Sequence, residues 1–258
     1  MIPIQVSFEF GCGAPFAPGC SGWLAARGGL LLGVDGCRAG WLVVGARLDP
    51  SGEFEQLSWS LELEAASFID ADLVAIDMPM GLAADGPRAC DQQARDHLGA
   101  RRSSVFPSPV RAALGAVDYR EACDLSFAVS GRKLSKQAYN LLPKIRQLDQ
   151  LLLADPGRSD RVHEVHPELA FCQWNGGEPM AHGKKTAAGA AQRQALVESQ
   201  FPGLALKIRT DVAKSKLADD DILDAIACLW SARRLLGQGA LVLGGERDGC
   251  GLPMRISA

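Results

Sequence analysis

The chain has no C-x-x-C pair, and its eight cysteines stand singly at 12, 20, 37, 90, 123, 172, 228 and 250. That spacing excludes a zinc site built on cysteine pairs and fits reduced thiols in a cytoplasmic protein. Histidine is scarce, with four residues too dispersed to make a ligand set on their own; His163 and His166 flank Glu164 and add at most a ligand or a general base. There is no surplus of positive charge: 27 Lys and Arg stand against 30 Asp and Glu, a formal net charge of -3. This excludes the broad basic footprint of a dedicated duplex-binding protein, so contacts with phosphate have to come from local clusters. No apolar run is long enough to cross a bilayer, so no membrane partner is expected. The stretch up to Gly29 has no basic residue before Arg27 and no continuous apolar centre, unlike a signal peptide.

What is present is a chain of 258 residues, 47% hydrophobic, enough for a single large α/β domain with its own core. No repeat, low-complexity tract or linker divides it. Residues 1–29 read as an irregular extension, within which Ile4 to Phe10 fits an edge strand, and 30–258 as one domain with a helical insertion. Short apolar runs at 30–34 and 73–76 predict buried strands, each closed by an acid, Asp35 and Asp77. A hairpin at Gly36 to Gly40 leads into a second strand at Trp41–Val44. A third strand is expected over 52–60, an internal one over 161–166 and a small terminal one at 241–243. Helices are expected over 61–70, 88–98 and 184–199, and over 119–153 with breaks near Gly131 and at Pro143. Residues 207–216 read as a basic connector before a strongly apolar helix that starts at Asp221.

Five carboxylates fall where one sheet can gather them. Asp35 and Asp77 close strands, Glu164 lies in the internal strand, and Asp221 and Asp224 share one face of the late helix. Each also has a bland role: Asp35-Gly36 as a turn, Asp77 as acceptor of a loop amide, Asp219 to Asp221 as helix caps. Asp224 resists that reading, because it lies a turn further in among apolar residues. There an unpaired carboxylate is costly unless a metal or a Lys or Arg neutralises it. Hard carboxylate oxygens suit Mg²⁺ or Mn²⁺. For phosphate, Arg101, Arg102, Ser103 and Ser104 form a candidate loop stiffened by Pro107 and Pro109, and Lys184, Lys185 and Arg193 a second patch. The basic loop lacks the aromatic interleaving that single-strand stacking uses.

The order of elements, antiparallel strands followed by a helix, an acid-bearing strand, helices, another strand and an acidic helix, is that of an RNase H-like fold. The runs Gly33-Val34-Asp35-Gly36-Cys37-Arg38-Ala39-Gly40-Trp41 and Ile76-Asp77-Met78-Pro79-Met80-Gly81-Leu82 go further. With Arg102-Ser103-Ser104-Val105-Phe106-Pro107, Glu164-Val165-His166-Pro167-Glu168 and Asp221-Ile222-Leu223-Asp224-Ala225, they resemble the domain-of-unknown-function family 429 over about Leu30 to Leu236. The resemblance implies a nuclease of RNase H-like fold. Asp35 would bridge two Mg²⁺ or Mn²⁺ ions, with Asp77, Asp221 and Asp224 as further ligands. Glu164 would serve as ligand, base or substrate contact, and nucleic acid of unspecified type would be the partner. Two other readings stay open: a binding module of this fold without turnover, and a phosphoesterase for small nucleotides. An actin-like or sugar-kinase ATPase needs two copies of the fold and glycine-rich phosphate loops, and the chain is too short for two and has no G-x-x-x-x-G-K-[ST] run.

Overall fold

A computed structural model describes residues 29–49, 52–237 and 239–258; the edge strand expected at 4–10 lies outside them. Its centre is a five-stranded sheet in the order β3-β2-β1-β4-β5. The strands are β1 (Leu30–Cys37), β2 (Gly40–Leu48), β3 (Phe54–Glu62), β4 (Leu73–Asp77) and β5 (Val162–Glu164). β1, β2 and β3 form an antiparallel meander, whereas β4 and β5 run parallel to β1. A hairpin of β6 (Val242–Arg247) and β7 (Pro253–Ser257) stands apart from this sheet and touches it through a bridge between Val165 and Ser257.

Among the described residues there are seven α-helices: α1 (Ala89–Leu98), α2 (Tyr119–Ser130), α3 (Lys136–Ala154), α4 (Pro167–Trp174), α5 (Ala187–Gln200), α6 (Leu204–Asp211) and α7 (Asp219–Leu236). Strand alternation divides them between the two sheet faces. Leu32, Val34, Val74 and Ile76 point to one face, where Ile145, Leu148 and Leu152 of α3 cover them. Leu31, Leu73 and Ala75 point to the other, under Ala225, Ile226 and Leu229 of α7 together with α4, α5 and α6. Each fully buried Leu or Ile here contributes about 1.5–3 kcal/mol of hydrophobic stabilisation. Gly33 sets how close α7 comes: a Cβ there would lie 2.1 Å from the Leu229 nitrogen and 2.3 Å from the Ala225 oxygen. Helix backbone thus rests directly on strand backbone, and the first turns of α7 hang over the end of β1.

Several expectations need correction. α3 runs through Pro143 without a break, because Pro143 is on the exposed side and the stripe Ala138, Leu142, Ile145, Leu148 and Leu152 stays buried. The carbonyl that a proline leaves unbonded one turn back costs little where water is near. The helix expected over 61–70 is only a 3-10 turn, Ala65–Ser67, since the β2–β3 ladder continues to the Trp41–Glu62 pair. The first half of the basic connector is helical as part of α6, which buries Leu204, Ala205 and Ile208. The apolar run at 241–243 opens a hairpin whose second strand carries no strong pattern of its own.

Candidate metal centre

β1 and β4 end side by side, and Asp35 is the register partner of Asp77. By alternation both side chains point to the face covered by α7, following Leu31 and Gly33 in one strand and Leu73 and Ala75 in the other. α7 brings Asp224 to the same place. Asp35 and Asp224 are 7% and 3% exposed, and Asp77 is half-buried. A cleft of about 390 Å³ opens above them, with Asp35, Asp77 and Asp224 on its floor. Met78 and Pro79 form one side, Phe106 and Leu141 another, and Ser103, Ser104 and His166 the rim.

One cation reaches the floor. The Lys184 ammonium is 2.6 Å from an Asp224 oxygen and 3.5 Å from Asp220, which also takes Lys185 at 2.6 Å. Lys184, expected at substrate phosphate, is in this structure the ion-pair partner that Asp224 requires. Burial, then the charges of Asp77 and Asp224, push the Asp35 carboxyl well above its ordinary range. Burial and then Asp224 push Asp77 up to about 8. Burial also raises Asp224, against the pull of Lys184. Burial alone would lower Lys184, but Asp224, Asp77 and Asp35 hold its ammonium charged. Fully ionised, the floor acids exceed their lysine by two negative charges.

Asp221 stands at the edge of this group. It lines the cleft, but one of its oxygens accepts the Ala218 N–H at 2.9 Å and so ties down the start of α7. Glu164 is not brought in. Its register partner is Ile76, so it leaves the sheet on the face opposite to Asp77. There it meets the Arg88 guanidinium at 2.6 and 2.8 Å and accepts the Met80 N–H at 2.8 Å. Arg88 in turn donates to the Met80 and Gly81 carbonyls, while Asp248 accepts the Leu82 N–H at 2.9 Å. This buried scaffold fixes the loop that follows Asp77 and with it the Met78-Pro79 side of the cleft.

The basic loop divides as well. Ser103 and Ser104 line the cleft. Arg101 instead donates to Glu168 at 3.1 Å, and Arg102 is exposed outside the lining. Arg193 of the second patch is 1% exposed and binds both Glu168 oxygens at 2.7 Å. His166 caps α4, and its Nδ1 is buried with no hydrogen-bond partner. Burial and the Lys184 charge push its pKa down to about 4, so the ring is neutral near pH 7. Sequence reasoning missed Arg88, Asp248 and Glu168. Nothing local links Arg88 to an acid 76 residues away, whereas Glu168 lay in view, next to the proline that opens α4.

Among the described residues no three His, Cys, Asp or Glu side chains already converge at ligand distance, and an ammonium rests on Asp224. The donor set nevertheless fits a hard divalent cation: oxygen ligands, two uncompensated charges and a neutral imidazole nitrogen nearby. Fold and cleft define a mixed α/β protein with an acidic, water-accessible pocket at the ends of two parallel strands, where open α/β sheets bind ligands. The chain belongs to the family described as protein of unknown function (DUF429), whose model matches residues 33–248. No curated protein and no solved structure matches it. Among the described residues no helix is long and apolar enough to cross a membrane.

Proposed function

We propose that the protein is a metal-dependent hydrolase of nucleotide phosphodiesters, built on an RNase H-like fold. One observation carries the reading: Asp35, Asp77 and Asp224 share one buried corner with a single lysine. Ionised, these acids leave an uncompensated pair of charges that either protons, favoured by the raised Asp35 and Asp77 carboxyls, or a divalent cation has to neutralise. The strand order β3-β2-β1-β4-β5, with a meander followed by two parallel strands and an acidic closing helix, supports the fold assignment. Fold alone does not assign chemistry, so the weight rests on the acids.

In this reading Asp35, Asp77 and Asp224 hold Mg²⁺ or Mn²⁺, with Asp221 as a further ligand. The metal supplies activation of water and charge for the leaving oxygen. Asp35 and Asp77 are presented by strand ends that cannot shift independently, which fixes the geometry of the ligand set. Ser103 and Ser104 offer hydroxyls at the rim for a phosphate oxygen. The loop clamped by Arg88 and Glu164 holds Met78 and Pro79 in place in the cleft lining. Lys184, which now pairs with Asp224, is the group that a bound metal would have to displace.

Calorimetry with Mn²⁺ on the wild type and on an Asp35→Asn, Asp224→Asn double variant, both checked for folding, is the test. Binding in the wild type that the variant loses, together with Mn²⁺-dependent phosphodiester hydrolysis lost in parallel, is the expected result. Equal binding in the two proteins would overturn the reading.

A further inference from the structure

We propose that the cleft receives one nucleotide unit, presented as a free nucleotide or as the end of a single strand, and excludes a double helix. The placing of its phosphate over the acids rests on the hydrolase reading above; the placing of its base does not. Size is the first argument. About 390 Å³ lies within the roughly 300–1,000 Å³ of small-molecule sites. Depth is the second. Asp35 and Asp224 are nearly inaccessible from outside, so a phosphate reaches them only on a chain thin enough to enter.

Charge is the third argument. A groove that tracks a polynucleotide needs cations available to its phosphates. Around this cleft Arg101 and Arg193 are held by Glu168, Lys184 by Asp224 and Asp220, and Lys185 by Asp220. Those four cations are spent on internal acids, Arg102 is exposed outside the lining, and the chain carries a net charge of -3. Recognition therefore falls to the walls. Phe106 is half-buried on the insertion cluster and Leu141 faces the same space from α3. Together they make an apolar surface for the face of a base, while Gln137, Ser103 and His166 surround it with polar groups for the base edge or sugar. One aromatic ring serves one base, which agrees with a basic loop that has no aromatic series along it.

When a diester is hydrolysed in this arrangement, a water oxygen forms a bond to phosphorus and the P–O bond to the outer sugar breaks. The attacking water gives up a proton to solvent, and the electron pair of the broken bond leaves with the sugar oxygen, which takes a proton from solvent. No oxidant or further reactant is required.

The test is calorimetric binding of adenosine 5′-monophosphate, a short single strand and the same strand annealed to its complement. All are measured in Ca²⁺ to suppress turnover and again without metal, on wild type, Phe106→Ala and Phe106→Tyr. The mononucleotide and the single strand should bind, and the duplex at least tenfold more weakly. Phe106→Ala should weaken the first two about tenfold, within the range of base–aromatic stacking, and Phe106→Tyr should restore them. Duplex binding equal to single-strand binding, no mononucleotide binding, or indifference to Phe106→Ala would overturn the proposal. Mn²⁺ binding combined with a duplex preference would sink this inference and leave the hydrolase reading standing. Phe106-dependent mononucleotide binding without any Mn²⁺ binding would do the reverse.

Discussion

Two groups of buried charge lie on opposite faces of the sheet at the ends of neighbouring strands, and they are balanced differently. On one side Glu164 and Asp91 meet Arg88 in a closed set of hydrogen bonds, all three side chains at most 6% exposed. Nearby, Glu168 is held in the same manner by Arg193 and Arg101. On the other side Asp35, Asp77 and Asp224 share Lys184. Burying an ion is tolerable when its partner is buried with it and the remaining lone pairs are hydrogen-bonded. Groups that satisfy this rule hold the fold, and the group that breaks it is where a ligand with positive charge belongs.

The comparison breaks most visibly at Arg88. Replacing it with Met leaves Glu164 and Asp91 buried without their cation, which costs about 3–5 kcal/mol. At about 2–4 °C per kcal/mol for a domain of this size, the melting temperature should fall by about 6–20 °C. A second change, Glu164→Met, should recover part of that loss, since an apolar pair of similar volume tolerates burial better than a lone charge. Thermal unfolding of both variants checks this. A drop of less than about 2 °C for Arg88→Met would mean the cluster is not the anchor its geometry indicates.

At the candidate metal centre the sign is opposite. The Asp77 pKa, about 8 against an ordinary 3.8, means that the folded protein binds this proton more tightly than the unfolded chain does. The contribution to stability is full below the unfolded pKa and is lost as pH rises toward 8, because only the unfolded chain has released the proton in that window. Each unit of elevation is worth about 1.4 kcal/mol, but the elevation is shared with Asp35 and Asp224, so neutralising Asp77 alone recovers only part of it. Asp77→Asn should therefore be more stable than wild type at pH 8, by about 1–3 kcal/mol, and the difference should shrink toward pH 4. Mn²⁺ should reverse the order at pH 8, stabilising the wild type alone. Urea unfolding with and without Mn²⁺ at the two pH values reads this; a variant less stable than wild type at pH 8 without metal would refute the uncompensated charge.

The contrast also explains what was legible beforehand. Strands ending at Asp35 and Asp77, and Asp224 set among apolar residues, are local patterns, and the structure brings these three acids together. Glu164 carried the same local pattern and went elsewhere, because its face depends on the β4–β5 register, a pairing across about ninety residues that no local period encodes. The internal pairing of the basic residues was hidden for a similar reason. Arg101, Lys184 and Arg193 look solvated in the sequence, and their acids, Glu168 and Asp224, become neighbours only when α4, α5 and α7 pack together. The Pro143 break failed because helix burial on one side outweighs a lost hydrogen bond on the exposed side.

The smallest expected effect sharpens the comparison most. Lys184 is 39% exposed along its side chain while its partner Asp224 is almost wholly buried, so the ammonium comes to the floor from the solvent side. If it stands in for a divalent ion, metal has to displace it, and Lys184→Met should raise Mn²⁺ affinity by about five- to tenfold, equivalent to about 1–1.4 kcal/mol. Lys184→Arg should fall between the two, since the guanidinium keeps the charge in a wider, planar group. Calorimetric Mn²⁺ titration of the three proteins at one ionic strength measures this. Affinity unchanged in Lys184→Met would place the metal on Asp35 and Asp77 alone. Asp224 would then belong with Glu164 and Glu168, among the acids that have their counter-ion already.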